Sequence, residues 1–377
     1  MTSIPENEFE KTVVISAKDL AAAAMPEAVG HYIVVTADGV PPRRVELGAE
    51  PLTVGRDARQ ALTLADTEVS RLHAQVSLVE GKATVEDMGS TNGTFLDGTR
   101  LSEPAALQDG SVVRIGSHLL TYERRSRREV ERHKELDRDL KKASKYVFSL
   151  LPAPLTEGKV QTEWLFVPST QLGGDAFGYN WLDDDTFVFY LLDVSGHGVG
   201  SAMHSVTVLN VLRQRALPHV DFKSPPEVLA SLNGRFQMDD HNGMFFTMWY
   251  GVYRPSSRTL TYGSAGHHQA YLVPADRSAT QPLGAPALMI GAMPGLEFEA
   301  HEAAVPAGSS LHLFSDGAYE VVTKSGERWN LADYERLLLQ PAEPGMPESK
   351  RLYQAVRTAT GPGPLEDDLS LLILTFP

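Results

Sequence analysis

Residues 124–151 contain no glycine or proline, are dense in Arg, Lys and Glu, and end at Pro152. A run of that composition stopped by proline reads as one helix, and it divides the chain into two stretches of different pattern. From residue 31 to 123, short apolar runs such as 32–35, Ala74–Val79 and Val112–Ile115 are separated by Gly, Asp and Asn turns, which predicts an all-β sandwich. From residue 163 onward, β-type runs at 186–192, 245–253 and Leu369–Phe376 alternate with helical stretches at 200–216, 225–236 and 331–339. That alternation predicts an α/β sandwich. The expected organisation is a disordered tail at 1–30, a β domain at 31–123, a linker helix at 124–152 and an α/β domain at 153–377. A length of 377 residues is too great for one ordinary core and sufficient for two.

Composition narrows the chemistry. The net charge of −14 disfavours a nucleic-acid or anionic-membrane partner. The absence of cysteine removes disulfides, thiolate metal sites and every phosphatase chemistry that uses a cysteine nucleophile. The first thirty residues carry only a short apolar patch at 20–25, and nowhere do eighteen apolar residues run together. No signal peptide or membrane span is expected, which makes the cytoplasm the default compartment.

In the β stretch, Gly55-Arg56, Ser70-Arg71-Leu72-His73 and Ser90-Thr91-Asn92-Gly93-Thr94 each follow or flank an apolar run. Such positions are loops at a sandwich edge, where polar side chains converge without entering the core. A phosphate dianion wants a bidentate guanidinium, which Arg56 supplies, and hydroxyl donors such as Ser70 and Thr91. Asn92 is able to bond a peptide backbone, and His73 is read as a loop brace. Each piece alone is ordinary, Asn92-Gly93 being a common hairpin turn. Together and in this order they resemble the forkhead-associated (FHA) domain over roughly ninety residues. The resemblance implies that Arg56, Ser70, Arg71 and Thr91 contact phosphothreonine, that Asn92 holds the bound peptide's backbone and that His73 is structural.

In the second stretch the acidic residues stand beside apolar runs and glycines: Gly173-Gly174-Asp175, Asp193-Val194-Ser195-Gly196-His197-Gly198, Asp316-Gly317 and Glu366-Asp367-Asp368. Carboxylates at neighbouring strand ends can converge on hard divalent cations, Mg²⁺ or Mn²⁺ rather than zinc. One Asp-Gly would be a turn. Four such motifs, with Ser149-Leu150-Leu151-Pro152, Phe246-Thr247-Met248-Trp249-Tyr250-Gly251, Ser264-Ala265-Gly266-His267 and Leu283-Gly284, resemble the metal-dependent (PPM) protein phosphatases of the SpoIIE/RsbU-like branch. The match runs from about residue 146 to 376.

By that resemblance two cations, Mn²⁺ or Mg²⁺, are held by bridging Asp193, the Val194 carbonyl, Asp316, Asp367 and Asp368, with Asp175 acting through water. A cation-activated water would then displace a serine or threonine alkoxide from phosphorus. Two features depart from the wider family. No arginine occurs between Arg138 and Arg213 to grip phosphate, and His197 stands four residues after Asp193, where relatives that use a histidine acid place it two after. The proton donor is therefore left open, and His267 is read as structural.

The expected helix carries ten basic against six acidic residues from 123 to 145, and His133, Leu136, Leu140, Ala143, Val147 and Leu150 fall at steps of three and four. This short heptad seam predicts a homodimer. The substrate implied is a phosphoprotein, either anti-anti-sigma-type or a threonine-kinase target. A catalytically dead phosphoprotein scaffold is the alternative, disfavoured because all four acids are present. Thr12, in Glu10-Lys11-Thr12-Val13-Val14-Ile15, is a further candidate as a kinase site whose phosphate docks at Arg56 and Ser70.

Overall fold

The computed structural model describes residues 29–37, 40–361 and 363–377. Thr12 and nearly all of the expected tail lie outside them. The chain forms two compact units that divide between Asp137 and Arg138, and each is described by itself.

The first unit is a β sandwich. One sheet has the order β2-β1-β11-β10-β7-β8, and the other β4-β3-β5-β6-β9. The strands are β1 (Val29–Ala37), β2 (Val40–Glu46), β3 (Leu52–Gly55), β4 (Leu62–Thr63), β5 (Ala74–Val79), β6 (Lys82–Asp87), β7 (Phe95–Leu96), β8 (Thr99–Arg100), β9 (Ala105–Ala106), β10 (Val112–Ile115) and β11 (His118–Ser126). Alternate residues face inward, as the period of two requires: Val54, Val76, Val85, Val113, Ile115 and Leu120 are buried in one cluster. Its outer boundaries differ from the expected 31 and 123. Val29, Gly30 and His31 pair with Ser126, Arg125 and Arg124, so the last strand runs on into the basic segment. Backbone pairing across that edge outweighs the helical preference of the arginines.

Helix α1 therefore begins later, spanning Arg127–Leu150. The division between the two units falls inside it, between Asp137 and Arg138. Its expected seam is also corrected. Val147 is 9% exposed and clusters with Leu172 and Ala202, with Leu140 and Val206 against them. Leu150 packs on a second core cluster of the same unit. Leu136 is 57% exposed. Leu140, Val147 and Leu150 thus bury against their own second unit, and the homodimer read from the seam loses these contacts.

The second unit stacks two five-stranded antiparallel sheets. One contains β13 (Ala176–Asp183), β14 (Thr186–Val194), β15 (Phe246–Arg254), β16 (Thr259–Ala265) and β19 (His301–Ala304); the other contains β12 (Gln161–Val167), β17 (Ala270–Val273), β18 (Gln281–Leu283), β20 (Ser309–Phe314) and β21 (Leu369–Phe376). Phe187, Phe189 and Leu191 of β14 meet Leu372, Leu374 and Phe376 of β21 between the sheets. The alternate residues Val188, Tyr190 and Leu192 pack outward beneath α2 (Val199–Arg213) and α3 (Pro225–Arg235). On the other side Leu369, Leu371 and Ile373 pack with residues of α4 (Leu331–Leu338) and α5 (Glu348–Thr360). Because both faces of these central strands are covered, their sequences are continuously apolar. Among the described residues no helix is long and apolar enough to cross a membrane.

The buried seam yields a test. All four tryptophans lie in the second unit, so their emission reports its unfolding alone. In urea titrations Val147→Ala is expected to cost about 1–2 kcal/mol, the loss of two buried methyl groups, while Leu136→Ala stays within about 0.5 kcal/mol.

Candidate active site and phosphopeptide edge

Strand ends deliver the acidic residues of the second unit to one place. Asp193 is the penultimate residue of β14, opposite Thr247 of β15, and Asp175 directly precedes β13, whose first residue pairs with Leu192. On the other sheet Asp316 follows β20, while Asp367 and Asp368 precede β21. Ser315 ties those two ends together: its hydroxyl donates to the Asp368 carbonyl at 2.9 Å and accepts from the Ser370 N–H at 2.9 Å.

The Asp368 carboxylate differs from the expected ligand role. Its Oδ1 accepts from the Ser169 N–H and hydroxyl at 2.7 and 3.0 Å, and its Oδ2 accepts from the Gly174 N–H at 2.6 Å. Both oxygens are committed to holding the 169–174 loop, and the residue is 3% exposed. Close approach explains two glycines here. A Cβ on Gly173 would lie 2.6 Å from Asp368 Oδ2, and one on Gly317 2.2 Å from the Asp368 carbonyl oxygen.

The other carboxylates disturb one another. Burial, then the charges of Asp193 and Asp368, push Asp175 well up, and its Oδ2 is buried with no hydrogen-bond partner. Burial, followed by Asp316, Asp367 and Asp368, raises Asp193 to about 8. Burial and Asp367 raise Asp316 to about 6. Asp367 is raised by burial, with Asp368 and Glu320 adding to it and exposed His197 opposing. Among the described residues no three His, Cys, Asp or Glu side chains already form a closed ligand shell. The fit to cations rests instead on donor chemistry. The donors are hard oxygens crowded with negative charge, and one of them is buried without a partner, which suits Mg²⁺ or Mn²⁺.

Asp193 and Asp316 border a cleft of about 260 Å³, lined also by Thr247, His267, His268, Pro286 and Tyr319. His267 is a brace: its Nδ1 meets the Thr247 hydroxyl at 2.7 Å and its Nε2 the Phe314 carbonyl at 3.1 Å. Burial lowers it to about 4, so it is neutral at pH 7. Sequence reasoning missed Ser315, Thr247, His268 and Tyr319, although Thr247 lies within a quoted motif, Ser315 and His268 adjoin one, and Tyr319 stands two residues after Gly317.

At the sandwich edge of the first unit the expected residues come together around His73, which is fully buried. Its Nδ1 accepts from the Ser70 N–H at 3.0 Å, which leaves Nε2–H to donate to the Gly93 carbonyl at 3.2 Å. The Arg56 N–H donates to the Ser70 carbonyl at 3.0 Å, and the Thr91 N–H to the Ser70 hydroxyl at 3.1 Å. Asn92 Nδ2 donates to the Glu68 carbonyl at 2.8 Å. Arg56, Arg71, Thr91 and Asn92 are exposed around this knot, and the Arg56 side chain has no ion-pair partner among the described residues.

Comparison with known proteins agrees with both units. The family model "Stage II sporulation protein E (SpoIIE)" matches residues 183–377, and the FHA domain model matches 52–116. The phosphoserine phosphatase RsbP of Bacillus subtilis is 30% identical over 188 residues, covering 48% of this chain and 45% of RsbP. The FHA domain-containing protein FhaB of Mycobacterium tuberculosis is 35% identical over 97 residues, covering 26% of this chain and 63% of FhaB. The chain thus spans about half the length of RsbP and under two thirds of FhaB. The SiaA-PP2C domain of Pseudomonas aeruginosa shares the fold, with a TM-score of 0.57 at 20% identity over 65% of this chain and 98% of that domain.

The raised carboxylates set a pH dependence for the metal-free protein. Between about pH 7 and 8 the unfolded chain has released its carboxylic protons while folded Asp193 still holds one, so stability falls as pH rises, by up to roughly 1 kcal/mol per pH unit. His31, His204, His267, His268 and His312, all lowered by burial, act in the opposite sense while their unfolded forms lose protons around pH 6.5, and that effect fades above about pH 7. Thermal unfolding in chelator is expected to show that decline, and Asp193→Asn to flatten it.

Proposed function

On the footing that the chain belongs to the SpoIIE family and carries an FHA domain, we propose that it is a signalling phosphatase. It would hydrolyse phosphoserine or phosphothreonine on a protein that its FHA domain helps to recruit. The observation that carries this reading is the mutual influence of Asp175, Asp193, Asp316 and Asp367 at the ends of strands from two facing sheets, with Asp193 and Asp316 bordering one cleft. RsbP, a phosphoserine phosphatase by name, supports the reaction class.

Asp193, the Val194 carbonyl, Asp316 and Asp367 would hold two divalent cations, with Asp175 behind them. Such cations would supply Lewis acidity and, by lowering the pKa of water, a hydroxide nucleophile near neutral pH. The chain's own residues do the rest. Asp368 and Ser315 fix the spacing of the two strand ends, and Gly173 and Gly317 admit the close backbone approach that this needs. Neutral His267 holds Thr247 at the cleft wall through a 2.7 Å bond. At the other site Arg56 and Arg71 would take the phosphate charge, Ser70 and Thr91 its oxygens, and Asn92 the peptide backbone. The substrate class that fits is a phosphoprotein of a threonine-kinase or anti-anti-sigma-type pathway.

Two measurements separate the two halves of this reading. Asp193→Ala, or excess chelator, is expected to lower Mn²⁺- or Mg²⁺-dependent release of phosphate from a phosphoprotein on the order of 100-fold or more. Arg56→Ala is expected to weaken phosphothreonine-peptide binding by about 2 kcal/mol in calorimetry, by loss of a charge-assisted contact, and to leave turnover of a small phosphoester unchanged.

A further inference from the structure

Strand register in the first unit places three side chains in one row. Arg114 of β10 pairs with Phe95 of β7, and Phe95 pairs with Arg100 of β8. Residues directly opposite one another project from the same face of a sheet, so the row reads Arg114, Phe95, Arg100. The Arg114 guanidinium lies 4.0 Å over the Phe95 ring. At the other end, Arg100 lies flat against the turn that carries Thr91 and Asn92. A Cβ on Gly93 would sit 2.5 Å from Arg100 Nε and 3.0 Å from its Cζ. Gly93 itself is fixed, its N–H donating to the Ser90 hydroxyl at 2.9 Å and its carbonyl accepting from His73. Both arginines are exposed, and neither has a carboxylate partner among the described residues.

Guanidinium planes held against a ring or a turn lose little freedom on binding and keep their edge N–H donors available. Two such cations beside a phosphate-binding edge are positioned for a further anion on the same ligand. We propose that Arg100 and Arg114 form a subsite that takes an aspartate or glutamate side chain flanking the phosphothreonine, making the domain selective for acidic phosphopeptides. This rests on the phosphothreonine-binding reading above. An extended peptide advances about 3.3 Å per residue, so a carboxylate within a few residues of the phosphate reaches the Gly93 turn. A polyanion such as nucleic acid is disfavoured by the chain's net charge of −14.

The test uses the full-length protein and fluorescence anisotropy with three phosphothreonine peptides. Their flanking positions are all alanine, glutamate on the N-terminal side, or glutamate on the C-terminal side. One glutamate peptide is expected to bind about three- to tenfold tighter than the alanine peptide. That ratio should shrink at high salt and fall to about one in the Arg100→Gln/Arg114→Gln double variant, whose circular dichroism should match the parent. Equal binding of all three peptides by the parent, or a ratio that survives in the double variant, overturns the proposal. An alanine peptide that fails to bind, or binds Arg56→Ala equally well, overturns the phosphothreonine reading and this inference with it.

Discussion

Carboxylates brought together out of water repel one another, and each holds its proton more tightly for having the others near. In the second unit this repulsion is severe: burial and neighbouring acids raise Asp175, Asp193, Asp316 and Asp367 together. Such a cluster persists only where the surrounding structure over-determines its positions. The sheets provide that, since central strands packed on both faces cannot shift singly. The remaining precision comes from Asp368. It sits next to a candidate ligand but spends both oxygens on Ser169 and Gly174, holding the loop before Asp175 against the strand that follows Asp367.

The first unit solves a similar problem with opposite charge and at lower cost. Its loops carry exposed guanidiniums, which remain hydrated, so no comparable burial penalty arises. One neutral imidazole suffices to bind the loops together, because His73 accepts from Ser70 with one ring nitrogen and donates to Gly93 with the other. Gly55 admits the approach of the Arg71 carbonyl, to which a Cβ there would come within 2.2 Å. In both units a buried side chain with every polar atom used fixes the loops, and the candidate ligand-binding groups stand on what it fixes.

Much of this was legible in the sequence, for reasons that also explain the failures. Asp193 and Asp316 announce themselves because an apolar run covered on both faces ends abruptly in a charge. Asp367 and Asp368 could not be told apart by composition. Only the contacts separate them: Asp368 turns its carboxylate onto Ser169 and Gly174, while Asp367 Oδ1 accepts from the Asp368 N–H. The strand extension through Ser126 was hidden because its partners, Val29 to His31, lie almost a hundred residues away, and local propensity carries no record of them. The heptad seam failed for a different reason. A repeat of three and four identifies a buried face without saying what covers it, and Val147 meets Leu172 and Ala202 of its own chain.

The electrostatics of the cleft bear on why two such units would share a chain. Of the residues lining it none is lysine or arginine, and buried His267 is neutral at pH 7. No arginine occurs anywhere between Arg138 and Arg213. A phosphoprotein approaching this site therefore meets carboxylates and no cationic side chain of the lining, on a chain whose net charge is already −14. Divalent cations can neutralise the site but do little to steer a large anionic partner from a distance, because screening confines such fields to about 10 Å. The guanidiniums at the sandwich edge lack that handicap. A reader domain that captures a phosphorylated partner, even weakly, raises its concentration at a tethered cleft toward the millimolar range by connection alone. On the proposed function, affinity that the cleft lacks would be supplied by the first unit, and selectivity among phosphoproteins would follow the first unit rather than the cleft.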